Sequence, residues 1–334
     1  MKVFADFHHD DLFHSLHLLF EKRLGWELYA PCGSEWYTSG YWKYSPEPRV
    51  VSEFLVEKQF EDTGKGYCLV NNPCHGRKLK ALTFDQFKKM DIDIIISSVP
   101  EHEIIYYNLA KKYQPKAKLI QHWGNEWKKF KPAVIKNWMV SCAPFSVPSD
   151  VLAVFYHQEF DLDVFSWTEG SPKSPIKSFV NDLPHLKDWE LFKRYEKALS
   201  DWKWQSYGLG CREGNARPLS KYVETMKKSS FIFHAKSLGD GFGHVIHNAF
   251  ALGRPPIVRS SYYRGRLAES LFIDGVTCID LDAHTFDQNC QLIKACSGPG
   301  KYHQMNIDAR HRFEDVVDFN SEFKIIKKFL EGLR

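Results

Sequence analysis

Apolar residues fall into two rhythms along this chain: short continuous runs, and stretches with apolar positions three and four apart. The first reads as strands covered on both faces, the second as helices with one inward face. Residues 2–7 form an opening strand, His8-His9-Asp10-Asp11 follows, and a helix spans Leu12 to Leu24, with Leu12, Leu16, Leu19 and Phe20 at helical spacing. Glu27 to Ala30 is the next strand. A Trp/Tyr-rich loop (Trp36, Tyr37, Tyr41, Trp42, Tyr44) runs on to Pro48. Phe84-Asp85-Gln86-Phe87 leads into an apolar strand over Ile92 to Ser98. The pattern then predicts a helix over Glu103 to Tyr113, strands over Ala117 to Gln121 and Trp138 to Ser141, and a helix over Val151 to Gln158. Strands alternating with helices predict a doubly wound parallel sheet.

The second half repeats the theme. Strands are expected at Val164 to Trp167, Ile176 to Val180, Trp202 to Leu209 and Thr277 to Leu281, and helices at Asp188 to Asp201, Ser220 to Lys228 and Phe319 to Leu333. Between them lies the stretch that organises the rest: a strand over Phe231 to Lys236, a polar loop ending in Gly241-Phe242-Gly243, a helix, a Gly253-Arg254-Pro255-Pro256 turn and the strand Ile257-Val258. Gly241 and Gly243 let the backbone approach a ligand, and the amides and dipole of a helix N-terminus suit a phosphate. Lys236 falls at the carboxyl end of its strand, where open α/β sheets bind ligands. No Gly-x-Gly-x-x-Gly follows the first strand and no P-loop is present, which speaks against a dinucleotide fold of the usual kind and excludes a P-loop NTPase.

Asp240-Gly241-Phe242-Gly243, with Asn248-Ala249-Phe250-Ala251-Leu252-Gly253-Arg254-Pro255, resembles the donor-binding signature of GT-B glycosyltransferases of the glycogen-synthase-like kind. Those enzymes carry Glu-Gly-Phe-Gly, a second Glu eight residues after the first, then Ala-x-Ala-x-Gly-x-Pro. Arg264 to Glu269 and Ile273-Asp274-Gly275-Val276-Thr277 resemble the end of the same site, so the likeness covers residues 205–280. The chain departs from the pattern at Asp240 and at Asn248, where the family has Glu; Asn still hydrogen-bonds ribose hydroxyls but without charge assistance. The resemblance implies an α/β chain of two Rossmann-like domains facing each other across a cleft: 1–160 on the acceptor side, 161–318 on the donor side, and a terminal helix, 319–334, returning to the first. It implies a hexosyltransferase using a nucleotide-sugar, a UDP-sugar before a GDP-sugar, with retention of anomeric configuration and no prosthetic group or metal. The implied donor residues are His234, Lys236, Gly241, Phe242, Gly243, His244, Asn248, Arg264 and Glu269, with Asp240 among the catalytic ones.

Composition narrows this little. At 334 residues, 43% hydrophobic and 26% charged, the chain has room for two globular domains. A net charge of +4 suits an anionic donor or acceptor but falls short of a nucleic-acid signature. Eight cysteines without a Cys-x-x-Cys pair, no signal-peptide pattern and no run of ~20 apolar residues lead to the expectation of a cytoplasmic protein without a membrane span.

The N-terminal half offers acceptor-side candidates, each with a plain structural alternative. His8 and His9 end a strand; either orients an acceptor hydroxyl or takes its proton, or simply caps the helix. Asp10, His14 and His17 share a helical face and admit a metal reading, which the metal-independence implied by the resemblance opposes. His122, Trp123 and Glu126 follow another strand, as stacking and acid–base groups or as a helix start capped by Asn125. Glu101-His102 follows a third. Trp36 and Trp42 belong to an acceptor platform or to a packed loop. The opening residues 2–31 are similar to glycosyltransferases of viral and environmental sequences. Bacteriophage DNA glucosyltransferases share the GT-B fold, so a hydroxymethylated DNA base stands beside a glycan as acceptor. A GT-B-fold epimerase and a nucleotide-binding relic without turnover remain the alternatives.

Overall fold

The computed structural model describes residues 1–6, 9–33, 36, 60–72, 75–98, 102–124, 134–142, 147–237 and 240–333. The chain divides into two compact units, residues 1–160 with 319–334, and residues 161–318.

In the first unit nine described strands make one sheet: β1 Lys2–Ala5, β2 Glu27–Pro31, β3 Phe60–Asp62, β4 Cys68–Asn72, β5 Arg77–Leu82, β6 Ile94–Ser97, β7 Lys118–Trp123, β8 Asn137–Val140 and β9 Leu152–Phe155. Their spatial order is β3-β4-β5-β2-β1-β6-β7-β8-β9. All neighbours are parallel except along the β3-β4-β5 edge. Ile94, Ile95 and Ile96 are fully buried, as a central strand covered on both faces requires. The helix expected from Leu12 begins earlier, as α1 Asp10–His17, and widens into π-helical turns over Leu18–Arg23. Helices α2 Phe84–Lys89 and α3 Glu103–Tyr113 follow, α2 opening on a capping box between Thr83 and Gln86.

Two expectations need correction, and one feature was not foreseen. The stretch Val151 to Gln158 is a strand, not a helix: β9 pairs with β8 from Leu152 opposite Asn137 to Phe155 opposite Val140. A six-residue apolar run fits either period, and the free edge of β8 decides. Val164 to Trp167 is not a strand, because Asp161 Oδ1 accepts the N–H groups of Asp163 and Val164 and turns the chain. The β3-β4-β5 edge was not anticipated; in β5 the charged Arg77, Lys78 and Lys80 break up the apolar run, leaving Leu79, Ala81 and Leu82 as its buried positions.

The second unit is a five-stranded parallel sheet in the order β11-β10-β12-β13-β14, with β10 Ile176–Ser178, β11 Trp204–Ser206, β12 Ile232–His234, β13 Pro256–Val258 and β14 Ile279–Asp280. Its helices are α4 Asp188–Ala198, α5 Leu219–Lys227, α6 His244–Ala251, α7 Phe286–Cys296 and α8 Pro299–Val316. Phe192, Trp204 and Phe233 meet edge-on in its core. Gly253, which ends α6, has φ +66°, and a Cβ there would lie 2.6 Å from the Trp167 ring. Both the backbone angle and the space demand glycine. The last helix, α9 Phe319–Glu331, belongs to the first unit: Ile326, Phe329 and Leu330 pack among Val3, Leu12 and Leu16, and Glu322 holds the N–H and ring of His157. Among the described residues no helix is long and apolar enough to cross a membrane.

Among the parallel strands of each sheet the order reverses in the middle, between β1 and β6 and between β10 and β12. Ligands of open α/β sheets bind beyond the carboxyl ends of strands at such a reversal.

Candidate functional site

At the carboxyl end of β12 the chain ties a knot of charge. Asp240 Oδ2 accepts from His234 Nε2 at 2.5 Å and from the Tyr263 hydroxyl at 3.2 Å, and Oδ1 accepts from Lys236 Nζ at 2.6 Å. Burial alone would raise the Asp240 carboxyl, but the charges and hydrogen bonds of His234 and Lys236 more than reverse this and hold it well below the usual carboxylate range. Burial and the facing Asp240 push the Tyr263 hydroxyl well above its ordinary value, so it stays a donor. Asp188, at the start of α4, takes the N–H and hydroxyl of Ser237 at 2.8 and 2.7 Å, which fixes the exit of the loop from the strand.

The loop re-enters the fold at Gly243, φ +80°, the residue before α6. No side chain caps this helix. Phe242 is buried, stacked on His247 at 4.0 Å and edge-on to His244 at 4.8 Å, so it clamps the loop to the helix. Lys236 remains one-third exposed beside it. The arrangement presents a half-neutralised ammonium and a helix N-terminus, which together suit a phosphate-bearing ligand.

The other residues expected on the donor side fall into two groups. Asn248 is buried, and its Oδ1 has no hydrogen-bond partner in the protein, an acceptor of the kind ribose hydroxyls satisfy. Arg264 and Glu269 are exposed, Glu269 Oε2 accepting the Gly265 N–H at 2.6 Å. Arg259 is committed to Asp282 at 2.7 Å. Both oxygens of Asp240 accept protein donors, which makes it the anchor of Lys236. Tyr263 and Asp188 were not foreseen, because each reaches the loop from more than twenty residues away.

In the first unit the placements change the picture more. Trp36 is fully buried, stacked on Phe4 at 5.2 Å, edge-on to Phe84 and Phe87, with its Nε1 donating to Leu82 O at 2.9 Å. Trp123 packs edge-on against Trp138 at 5.5 Å, and His122 is buried with Nε2 3.2 Å from Ser141 Oγ. These three are core residues: no ring face among them is open to a sugar or base. His9 caps α1, its Nδ1 accepting the Asp11 N–H at 3.3 Å, with half the side chain exposed. His8, Trp42, Glu101 and Glu126 lie outside the described residues. At the reversal point, Asp6 at the end of β1 and His102 before α3 form a buried pair, 2.8 Å apart. His14 and His17 do not converge on a metal: His17 Nδ1 bonds Glu21 at 2.5 Å, whereas the His14 ring stacks on His75 at 4.3 Å.

No protein-family profile matches the sequence, and no curated protein matches it either. Solved structures do. HepE of Anabaena, in complex with UDP and glucose, aligns with 99% of this chain and 99% of its own at TM-score 0.64 and 10% identity. Sucrose-phosphate synthase from Thermosynechococcus elongatus aligns with 99% of this chain and 98% of its own at TM-score 0.63 and 9% identity. An alpha-glucosyltransferase in complex with UDP-glucose and DNA containing an abasic site covers 97% of this chain and 98% of its own at TM-score 0.63 and 13% identity. At these identities the likeness concerns the path of the backbone, and over nearly its whole length this chain has the GT-B fold.

Proposed function

We propose that the protein is a glycosyltransferase that moves a hexose from a UDP-sugar to a hydroxyl acceptor, with retention at the anomeric carbon. The observation that carries the reading is the Asp240 knot at the carboxyl end of β12, which holds Lys236 beside the uncapped N-terminus of α6. The structural neighbours bound to UDP or UDP-glucose support the choice of donor. In this reading the bond from the sugar's anomeric carbon to the diphosphate oxygen breaks. Lys236 and the first turn of α6 stabilise the charge that develops on the diphosphate. Asn248 Oδ1 accepts from the ribose hydroxyls, and Glu269 is a second donor-side contact. The acceptor oxygen bonds the anomeric carbon and gives up its proton, for which His9 is the candidate base among the described residues. The acceptor is a glycan hydroxyl or a hydroxymethylated pyrimidine in DNA.

The test is a panel of UDP- and GDP-sugars incubated with the purified protein, with and without acceptor, followed by NMR of the sugar products. Slow hydrolysis or transfer supports the reading. An isomerised donor makes the protein an epimerase, and binding without turnover makes it a nucleotide-binding relic. A protein that binds neither UDP nor GDP has no donor site here.

A further inference from the structure

Arg254 and Arg77 both carry guanidinium nitrogens shielded from solvent, and they are treated differently. Arg254 in the second unit is fully buried, and its guanidinium donates to the carbonyls of Lys227, Thr168 and Leu252. Arg77, the first residue of β5, is half-buried as a residue, yet Nε, Nη1 and Nη2 are each shielded from solvent with no hydrogen-bond partner in the protein. This inverts the usual habit of arginine, which buries its stem and keeps its head in water. Two residues before it, His75 of the β4–β5 connection stacks its ring on that of His14 of α1 at 4.3 Å, nearly parallel at 8°, and the Arg77 charge acts on His14. All four of their ring nitrogens are likewise buried without a hydrogen-bond partner. A buried donor left unmade costs about 1–3 kcal/mol, more for a charged group. The five N–H groups of the guanidinium and at least one N–H on each imidazole leave a surplus of buried donors, which suits something that accepts hydrogen bonds.

We propose that this cluster, Arg77 with His14 and His75, binds a small tetrahedral oxyanion of the phosphate class. Charge decides against a cation: burial first, and then His75, Arg77 and His17, oppose a positive charge on His14. Number decides against a carboxylate. The guanidinium's five N–H donors and two imidazoles exceed the four or so lone-pair sites a carboxylate offers. Nearby acids do not fill the role. Asp11 Oδ1 is 3.5 Å from His75 Nε2, beyond a good hydrogen bond, and Glu21 spends its oxygens on the Leu28 N–H and His17. Lys80 lies 3.5 Å from Glu21 and 3.3 Å from Glu27, so both carboxylates are further engaged. Because the guanidinium is enclosed, the ligand is a free small anion or a terminal phosphate group, not the backbone of a polymer.

Inorganic phosphate, titrated at constant ionic strength against chloride, is the probe. In the unmodified protein it should raise Tm along a saturating curve and move the His14 imidazole to a higher titration point by NMR, since the bound anion favours the protonated ring. Arg77→Met should fold at least as stably without phosphate and lose the Tm response. Lys236→Ala should keep it, which separates this site from the donor loop. Absence of a saturating rise, or a response that survives Arg77→Met, overturns the proposal. So does a His14 resonance unmoved by phosphate.

Discussion

Lys236 Nζ lies 2.6 Å from Asp240 Oδ1 while His234 Nε2 lies 2.5 Å from the other oxygen of the same carboxylate. The acid therefore does not oppose an anionic ligand as a bare charge would. It fixes the ammonium at the mouth of the loop, where the helix N-terminus adds its own partial positive charge. An unanchored lysine in that place would lose side-chain entropy on binding; this one has already lost it.

Removing the ammonium tests that role. Lys236→Ala should weaken UDP binding by about 1.5–3 kcal/mol, the range for a hydrogen bond to a charged group, or roughly 10- to 150-fold in Kd. Isothermal titration with UDP measures it directly. An unchanged affinity would remove Lys236 from the donor site.

Asp240→Asn should act on the fold as well as on the ligand. It keeps the shape but leaves His234 and Lys236 beside a neutral amide, and breaking a buried pair of this kind costs about 3–5 kcal/mol. The pH dependence follows from the depressed carboxyl, whose ordinary value is 3.8. Its stabilising contribution is complete above that value and declines as pH falls below it, because the unfolded chain then takes up the proton first. Urea melts of the two proteins should therefore differ most at neutral pH and converge under strong acid.

How much of this was legible in the sequence depends on distance along the chain. Strands such as Ile94–Ser97 and the helix Glu103–Tyr113 announce themselves by local period, and so does the loop from Lys236 to Gly243. The knot inside that loop did not, because Tyr263 enters from twenty-three residues away. Trp36 could be read as a platform or as a packed loop for the same reason: its neighbours in sequence are polar and aromatic, and only the fold shows its neighbours in space, Phe4, Phe84 and Phe87. Arg77 gave no signal at all, since only the fold turns its head inward.

His14 should make the fold acid-sensitive well above the carboxylate range. Burial, helped by His75, Arg77 and His17 and opposed by Asp11, holds its imidazole down at about 3, against an ordinary 6.5. The unfolded chain therefore takes up a proton first as pH falls from 6.5, and stability drops from there until about pH 3. At pH 5 the loss from this one group is about 2 kcal/mol, at 1.36 kcal/mol per pH unit. Denaturation of His14→Phe, which keeps a ring for the stack, should show a flatter profile between pH 7 and 5. An equal slope in both proteins would refute the assignment.

The acceptor can be told by salt. If it is duplex DNA with hydroxymethylated pyrimidines, the target base must leave the stack to be glycosylated, and binding rests on lysines and arginines neutralising phosphates. With a net charge of only +4, few contacts are expected. Three neutralised phosphates would weaken binding about 40-fold between 50 and 200 mM salt, from a slope of about −0.9 per phosphate. Trp36 and Trp123 are committed to the core and cannot fill the vacated stack, so their conservative replacement by Phe should leave DNA binding unchanged. Transfer should be measured on hydroxymethylated and unmodified DNA at both salts. Steep salt dependence with transfer to the hydroxymethylated strand alone identifies the DNA acceptor. Intact UDP binding with no transfer to either DNA assigns the acceptor to the glycans, whose neutral hydroxyls release no counterions and whose binding salt should barely touch.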